Sequence, residues 1–228
     1  MATYNGEVYV HSQIESILAQ LEPGDELVIS DNGSTDRTIK IIQSFKSDKI
    51  KIHHCNIPNV VKNFENAIVN SCNEVIILCD QDDVWLPERV SVVLDAHKHA
   101  DVVSVSFKVV DEKLAFIMNN PFMPKISFIS TLIRNSFLGC SMSFKRSMLN
   151  KVLPFPDKIG MHDWWIVLNC LLYGKVVYID KPLFLYRRHT DNVSQTTEKS
   201  PYSLWSKLRM RLVMFYYIVL RVFKNVKS

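Results

Sequence analysis

Short apolar runs alternate along the first two thirds of the chain with segments in which apolar residues recur at helical spacing. Residues 7–20, for example, place Val10, Ile14 and Ile17 on one face of a helix. Further helices are predicted at 36–45, 60–71 and 163–173, and strands at 26–30, 50–53, 74–79, 102–108 and 141–144. Strands that alternate with helices in this way indicate an α/β fold with a parallel sheet between helical layers.

The beginning of the pattern is unusual. A sheet of this kind has a strand before its first loop, whereas Met1 stands only two residues ahead of the predicted loop at 3–6. We therefore expect the first strand to be missing from this sequence. Either the polypeptide starts upstream, or part of the wall of a nucleotide site is impaired.

Charge is distributed unevenly between the body of the chain and its end. Seven of the 27 Lys and Arg residues, and none of the 23 acidic residues, lie at or after Lys199, so residues 1–198 carry a formal net charge of −3. A nucleic-acid-binding protein would carry basic residues across its folded body, interleaved with aromatic ones. The sequence therefore predicts no nucleic-acid partner.

The basic tail has an apolar stripe at helical spacing, and its longest uninterrupted apolar run, 212–220, is well short of the roughly 20 residues that span a bilayer. A basic amphipathic helix that lies in the interface of an anionic membrane fits this pattern, and docking of the helix onto the body is the alternative. The stripe consists of Leu204, Leu208, Leu212, Phe215, Val219 and Val222.

Composition favours a single α/β domain at 1–198 followed by the helical tail at 199–228. The chain has 228 residues, of which 47% are hydrophobic, and this is enough to bury a core. Its five cysteines form no C-x-x-C pair, and no secretory signal opens the sequence. We expect reduced, mostly buried thiols in a cytoplasmic protein. The cysteines are Cys55, Cys72, Cys79, Cys140 and Cys170.

The strand predicted at 74–79 leads directly into three carboxylates, Asp80, Asp82 and Asp83. Carboxylates this close repel one another unless a cation lies among them, and Mg²⁺ or Mn²⁺ shared with substrate phosphates is a common occupant. The alternative is an acidic helix N-terminus, since Pro87 suits a first helical turn.

Six motifs follow one another along the chain: MATYNGE at 1–7, SDNGSTD at 30–36, CDQDDVW at 79–85, LGC at 138–140, HDWW at 162–165 and YRRH at 186–189. In this order they resemble the motifs of the family 2 glycosyltransferases with a GT-A fold, especially bacterial rhamnosyltransferase-like members. The resemblance covers about residues 1–195. It implies a Rossmann-like, mostly parallel sheet flanked by helices, with a nucleotide-sugar-binding half at 1–100 and an acceptor half at 101–198.

In such enzymes the first loop and the Asp after the second strand hold the nucleotide. The resemblance assigns this role to Thr3, Tyr4 and Asp31. The carboxylate of Asp31, before a turn through Gly33, can accept hydrogen bonds from a base or ribose. Its alternative role is to form an Asx turn or helix cap.

The same resemblance assigns the metal and diphosphate ligands. Asp82 would bind the Mg²⁺ or Mn²⁺, and Asp80 would reach the ribose, or the metal through water. His189 would complete the metal or diphosphate site, and Arg187 and Arg188 have the forked donors that suit diphosphate oxygens.

Asp163 is assigned the role of catalytic base. It would take the proton from an acceptor hydroxyl as that oxygen attacks the anomeric carbon, and a single displacement would invert the configuration. Trp164 and Trp165 could form a platform for a sugar ring, and the resemblance adds Gly139 to the acceptor region. The alternative is that Asp163 caps the following helix and the two tryptophans belong to the core.

Together these features predict a metal-dependent, inverting glycosyltransferase at the inner face of the plasma membrane. It would move a sugar from a nucleotide-diphosphate donor, dTDP-rhamnose or a UDP-hexose, to a hydroxyl of a cell-surface glycan or lipid-linked saccharide. Two alternatives remain open. A metal-dependent nucleotidyltransferase would want a basic loop near the first strand, and an inactive nucleotide-sugar-binding protein would fit the short amino terminus.

Overall fold

The computed structural model describes residues 1–190 and 203–226, with side chains to residue 223. Its strands are β1 (Ala2–Thr3), β2 (Leu27–Asp31), β3 (Ile50–His54), β4 (Val75–Ile77), β5 (Val84–Trp85), β6 (Val102–Val110), β7 (Phe116–Asn119), β8 (Met142–Lys145) and β9 (Val176–Arg187). Its α-helices are α1 (Val10–Leu18), α2 (Thr38–Ser44), α3 (Val60–Val69), α4 (Arg89–His97), α5 (Phe128–Ile133), α6 (Leu149–Val152), α7 (His162–Tyr173) and α8 (Leu204–Val226).

A small parallel sheet, in the order β1-β2-β3, carries the amino-terminal part of the chain. Its first strand corrects the expectation that this strand is missing. Ala2 pairs with Ser30 and Thr3 with Asp31, so a two-residue strand is present beside the five residues of β2. The prediction failed because two residues are too few to show a strand pattern in the sequence.

A second sheet has six strands in the order β4-β8-β6-β9-β5, with β7 beside β6. Only β6 and β9 pair in parallel within it, and the other four pairs are antiparallel. The predicted α/β class is correct, but the expectation of a mostly parallel arrangement does not hold for this sheet. Strand β4, predicted to be parallel, pairs antiparallel with β8, which begins 67 residues later at Met142. Local pattern predicted both strands but cannot reveal that two such distant strands pair.

Two apolar clusters cover the sheets. One is built around α3, α7 and β8, and the other around α1, α4, β6 and β9. The apolar face predicted for α1 is confirmed, since Val10, Ile14 and Ile17 are all buried. Four of the five free cysteines are buried and only Cys72 is exposed, as expected.

Helix α8 packs against the body through one face. Met214 and Ile218 are buried in the cluster around α7, and the Arg221 guanidinium lies 5.4 Å from the ring centre of Trp165. Arg221 also donates to the carbonyl of Leu153. The alternative interpretation of the tail, that its helix docks onto the body of the protein, is therefore correct for this face.

The opposite face of α8 is exposed and also apolar. This outer face matches most of the stripe predicted from the sequence, and Trp205 is 81% exposed on it. Within the described residues, no helix is both long and apolar enough to cross a bilayer. The outer face consists of Leu204, Trp205, Leu208, Leu212, Phe215, Tyr216, Leu220 and Phe223.

Candidate active site

The predicted site residues converge where β2 and β4 end, although the two strands belong to different sheets. The loop after β1 is joined to the loop after β4 by a pair of hydrogen bonds. The backbone N–H of Tyr4 donates to Gln81 Oε1 at 2.9 Å, and Gln81 Nε2 donates to the Tyr4 carbonyl at 3.0 Å. The Tyr4 side chain is exposed beside this junction and is free to contact a ligand ring.

Asp82 and His189 are brought together by the return of β9 to the acidic loop. His189 Nε2 lies 2.8 Å from Asp82 Oδ2, and the imidazole packs against the Tyr9 ring at a centroid distance of 4.5 Å. An imidazole nitrogen and a carboxylate oxygen at this distance can share a proton or a divalent ion. The two residues predicted as metal ligands are therefore neighbours.

Arg187 fixes the acidic loop rather than facing an open cleft. Its Nε donates to the Asp82 carbonyl at 2.8 Å, its Nη1 to the Glu112 carbonyl and its Nη2 to Ser12 Oγ. The side chain is buried, with its guanidinium 4.8 Å from the ring centre of Tyr9. These contacts use three of the five guanidinium N–H donors inside the protein, and the assignment of Arg187 to the diphosphate stays a prediction.

Arg188 is half-buried, and its backbone N–H donates to the Val110 carbonyl. Its assignment to the diphosphate stays a prediction. It is adjacent to His189, so it projects from the same exit of β9.

A second acidic group lies deeper than Asp82. Ligand atoms of Asp80, Asp83 and Cys140 all lie within 4.8 Å of one another. Burial, followed by the nearby Asp82 carboxylate, raises the pKa of Asp80 to about 7. Burial also raises the pKa values of Asp83 and of the Cys140 thiol well above their usual ranges.

This deeper group is a poor site for a hard cation. Mg²⁺ and Mn²⁺ prefer oxygen ligands, and a buried protonated thiol is not one. Asp83 Oδ1 instead accepts the backbone N–H of Arg187 at 3.2 Å. This bond gives Asp83 a structural role outside the proposed metal pair, and its closeness to Cys140 was not evident from the sequence.

Asp31 is at the end of β2 and holds its own loop together. Its Oδ1 accepts from Thr3 Oγ1 at 2.9 Å and from Ser34 Oγ at 2.6 Å, and its Oδ2 accepts the backbone N–H groups of Gly33 and Ser34. The turn role considered as an alternative is thus present. Asp31 and Thr3 shape the wall beside Tyr4, and both are buried. Direct contact of either with a nucleotide stays a prediction.

Asp163 lies in the first turn of α7 and is buried. Its Oδ1 accepts the Trp164 N–H at 2.6 Å, and its Oδ2 accepts from Asn135 Nδ2 at 3.3 Å. Burial raises the pKa of this carboxyl to about 6. The N-cap position belongs to Met161, so Asp163 does not cap the helix. Asp163 lies beside Gly139, whose neighbour Cys140 lies near Asp80, and the Asp163 charge is one of the causes that raise the pKa of Asp80.

Gly139 is the small residue that lets Asp163 and its neighbour approach the acidic loop. A Cβ atom at Gly139 would lie 2.8 Å from His162 Nε2 and 3.5 Å from Asp163 Cβ. The His162 ring is stacked on Phe64 at 3.9 Å and has little room to move. Burial lowers the pKa of His162 to about 3, so its imidazole is neutral.

The two tryptophans after Asp163 do not form a sugar platform. Trp165 is fully buried, with its Nε1 donating to the Val152 carbonyl, and Trp164 is buried with its Nε1 donating to the Thr131 carbonyl. The prediction is wrong because α7 is covered on both sides by α5, α6 and α8. The alternative, that the tryptophans belong to the core, is correct.

Comparison with known proteins agrees with this geometry. The family model described as "Glycosyl transferase family 2" matches residues 1–153. Among curated relatives, the dTDP-rhamnosyl transferase RfbG of Shigella flexneri is 28% identical over 217 residues, covering 84% of this chain and 72% of RfbG. An uncharacterized glycosyltransferase of Nostoc sp. is 28% identical over 211 residues, covering 84% of this chain and 64% of the relative.

Among solved structures, S. aureus TarS 1–349 in complex with UDP-GlcNAc superposes with a TM-score of 0.72 at 19% identity, covering 93% of this chain and 64% of TarS. This similarity confirms the predicted GT-A fold class. The chain thus spans about two thirds of the length of these proteins. From the match over residues 1–153, the chain belongs to glycosyl transferase family 2.

Proposed function

We propose that this protein transfers a sugar from a nucleotide-diphosphate donor to an acceptor hydroxyl with inversion at the anomeric carbon. The observation that carries the proposal is that the Asp82–His189 pair adjoins Asp80, which lies near Cys140, while the buried Asp163 lies beside the neighbouring Gly139. A pair suited to a cation and a separate buried base are the two components that such a displacement needs.

Asp82 and His189 are the residues that would hold Mg²⁺ or Mn²⁺, with Asp80 beside them. The fit rests on the donor set, since a carboxylate and an imidazole suit Mn²⁺ and a carboxylate suits Mg²⁺. When bound, the ion would neutralise the charge that develops on the departing diphosphate. Asp82 is held for this purpose by Arg187, which binds its carbonyl and leaves the carboxylate to His189.

Asp163 would act on the acceptor rather than on the donor. Its raised pKa makes it a stronger base than an exposed carboxylate, because burial penalises its charged form. Asn135 and the Trp164 N–H orient the carboxylate. Inversion would require the acceptor hydroxyl, at Asp163, and the departing diphosphate, at Asp82, to lie on opposite sides of the sugar.

The donor is proposed from similarity alone. RfbG is named for dTDP-rhamnose and TarS was solved with UDP-GlcNAc, so a dTDP-sugar and a UDP-hexose are the first candidates here. Tyr4 is exposed beside the Asp31 loop, where a pyrimidine ring could stack on it.

The acceptor is proposed to be a cell-surface glycan or lipid-linked saccharide met at the inner face of the plasma membrane. The outer face of α8 supports this, because eight large apolar residues with basic neighbours and no acidic residue suit an anionic interface. Ile129 of α5, 68% exposed, extends the apolar surface next to α8.

The test is a thermal-shift panel of UDP and dTDP, each with Mn²⁺, with Mg²⁺ and with EDTA, followed by a transfer assay with the donor that stabilises most. We expect stabilisation by one nucleotide and only with metal, because Asp80 and Asp82 otherwise repel the diphosphate. Equal stabilisation by the nucleotide in EDTA would contradict the proposed role of a metal ion in nucleotide binding. Binding without transfer to any acceptor would favour the inactive binding protein, and release of pyrophosphate from a nucleoside triphosphate would favour a nucleotidyltransferase.

A further inference from the structure

Helix α1 has a polar edge beside its buried apolar face. Val10, Ile14 and Ile17 are buried in the cluster around β6 and β9 and anchor the helix to the body. Residues three, four and seven positions apart lie on one side of a helix, and four polar side chains follow this spacing. This polar edge consists of Tyr9, Ser12, Gln13 and Ser16.

Two residues of the polar edge bind the backbone of the acidic loop. Gln13 Nε2 donates to the Asp80 carbonyl at 2.9 Å, and Ser16 Oγ accepts the backbone N–H of Trp85 at 3.0 Å. The loop between Asp80 and Trp85 is thus attached to α1 at both ends. Because the apolar face of α1 is anchored, the helix is a fixed frame for the carboxylates between these two points.

Ser12 reaches the acidic loop through Arg187. Its Oγ accepts from Arg187 Nη2 at 3.0 Å, and Arg187 Nε donates to the Asp82 carbonyl at 2.8 Å. One turn of α1 therefore also sets the position of Asp82, which is one half of the proposed metal pair.

Tyr9 precedes the first residue of α1 and is fixed through its backbone. Its N–H donates to the Gly6 carbonyl at 3.0 Å, and its own carbonyl accepts from Ser12 Oγ at 2.9 Å. The Tyr9 ring in turn lies 4.5 Å from the His189 imidazole and 4.8 Å from the Arg187 guanidinium, measured to the ring centre. The ring therefore contacts one member of the metal pair and the side chain that holds the other.

The orientation of the His189 imidazole needs such a contact. Strand β9 ends at Arg187, so strand pairing does not extend to His189. The imidazole is nevertheless only 6% exposed, and its plane is tilted by 31° to that of Tyr9. Tyr9 is half-buried and belongs to neither apolar cluster, so its ring is not a core side chain.

We propose that Tyr9 is a positioning residue for the metal pair, whose ring holds the His189 imidazole in the orientation that directs Nε2 at Asp82 Oδ2. The inference rests on the proposed function, in which this pair holds the ion. A ligand side chain that is fixed before binding loses less conformational entropy when it binds. A tyrosine ring also favours the positive charge that an imidazole acquires beside a cation.

The experiment compares four proteins: the unchanged chain, Tyr9→Phe, Tyr9→Leu and His11→Leu. The phenylalanine keeps the ring, and the leucine removes it but stays apolar. His11→Leu is the matched control, because the His11 ring belongs to the same helix but contacts Phe45, at 4.8 Å.

Mn²⁺ affinity is the first readout, taken from the electron paramagnetic resonance signal of the free ion in the presence of UDP or dTDP. An aromatic pair contributes enough that Tyr9→Leu should bind Mn²⁺ about threefold to tenfold more weakly. Tyr9→Phe and His11→Leu should match the unchanged protein. A residue with a merely structural role would change the melting temperature and leave the Mn²⁺ affinity of the folded protein as it was.

The order of the His189 ring is the second readout, and it needs neither metal nor nucleotide. Carbon relaxation of labelled histidine, with the His189 signal identified in His189→Gln, gives the order parameter of the Cε1–H bond. We expect about 0.85 in the unchanged protein and in Tyr9→Phe, and less than about 0.6 in Tyr9→Leu.

The two readouts separate this inference from the proposed function. Absence of Mn²⁺ binding in the unchanged protein would contradict the proposed metal site, whereas a ring that loosens only in Tyr9→Leu would still support the positioning role. An ordered His189 ring in Tyr9→Leu, unchanged Mn²⁺ affinity in that variant, or an equal loss in Tyr9→Phe would overturn it. Tyr9→Met replaces Tyr9→Leu if the leucine variant does not fold, with the same outcomes.

Discussion

Asp82 Oδ2 and His189 Nε2 lie 2.8 Å apart although the two residues are separated by 107 positions in the chain. The pair forms because β9 returns next to β5, which follows the acidic loop, and pairs Leu185 with Val84. This pairing places the exit of β9 directly over Asp82. The proposed metal site therefore depends on one strand pairing.

Substitutions should distinguish the role of Asp82 in metal binding from that of its neighbour Asp83. We expect Asp82→Asn to abolish the metal-dependent part of nucleotide stabilisation, because an amide is a weaker ligand for a hard cation than a carboxylate. Asp83→Asn is the matched control, since its raised pKa means that a neutral side chain already suits this buried position. Thermal shifts with UDP or dTDP, measured with and without Mn²⁺, give the comparison. A larger loss of metal-dependent stabilisation in Asp83→Asn than in Asp82→Asn would indicate that the metal binds at the deeper group with Cys140.

The pH dependence of transfer should report Asp163. A base acts when ionised, and the pKa of this carboxyl is raised to about 6, so kcat should fall about tenfold per pH unit below pH 6 and level off above it. An unperturbed Asp would keep kcat constant down to about pH 4.

Asp163→Asn is expected to lower kcat by about 10²–10⁴-fold while nucleotide binding persists. Stability gives the control. A carboxyl with a raised folded pKa favours the fold below its unfolded pKa, and this contribution is lost as pH rises through 6. Removal of the charge should therefore not weaken the fold at pH 8. Unfolding of the variant at pH 8, with unchanged activity per folded molecule, would make Asp163 a structural residue.

Gly139 and Gly160 form a matched pair for testing space near the base. In Gly139→Ala the new Cβ would lie 2.8 Å from His162 Nε2, so the stacked ring next to Asp163 must shift. We expect a loss of about 1–3 kcal/mol in the free energy of unfolding, and reduced transfer. Gly160→Ala meets no atom within 4 Å and should change neither. Denaturant unfolding and a transfer assay measure both effects, and equal behaviour of the two variants would contradict this account.

The two faces of α8 should respond differently to polar substitution. Leu212→Ser and Phe215→Ser, on the outer face, are expected to reduce co-sedimentation with anionic vesicles and leave the melting temperature nearly unchanged. Met214→Ser, on the buried face, should destabilise the fold by about 2–5 kcal/mol. If both outer-face variants bind vesicles as well as the unchanged protein, the proposal that this face contacts the membrane is contradicted.

The salt dependence of vesicle binding distinguishes its electrostatic contribution from its apolar contribution. Binding to anionic vesicles should weaken from low salt to about 0.5 M NaCl, since each Lys or Arg near the surface contributes about 1 kcal/mol and is screened. Removal of the whole tail is a poor test, because Met214 and Ile218 belong to the core. Truncation would combine the loss of a membrane contact with unfolding.

Local pattern was enough to predict the elements whose stability is local. The helical face of Val10, Ile14 and Ile17 follows from its period of 3.6 residues, and the strand before Asp80 follows from the length and continuous apolar composition of its run. A segment carries both signals within itself. The sequence also contained the order of the six motifs, and through them the family. The acids after β4 are adjacent in the chain, so their proximity needed no fold.

Long-range packing decided what no local pattern contains. The burial of Trp164 and Trp165 depends on α5, α6 and α8 covering α7, and the use of Arg187 inside the protein depends on the path of Glu112 and Ser12. The same residue type, a tryptophan or an arginine, suits a ligand surface and a core equally well. Only the tertiary structure determines which neighbours saturate its hydrogen bonds and apolar area, because those neighbours come from distant parts of the chain.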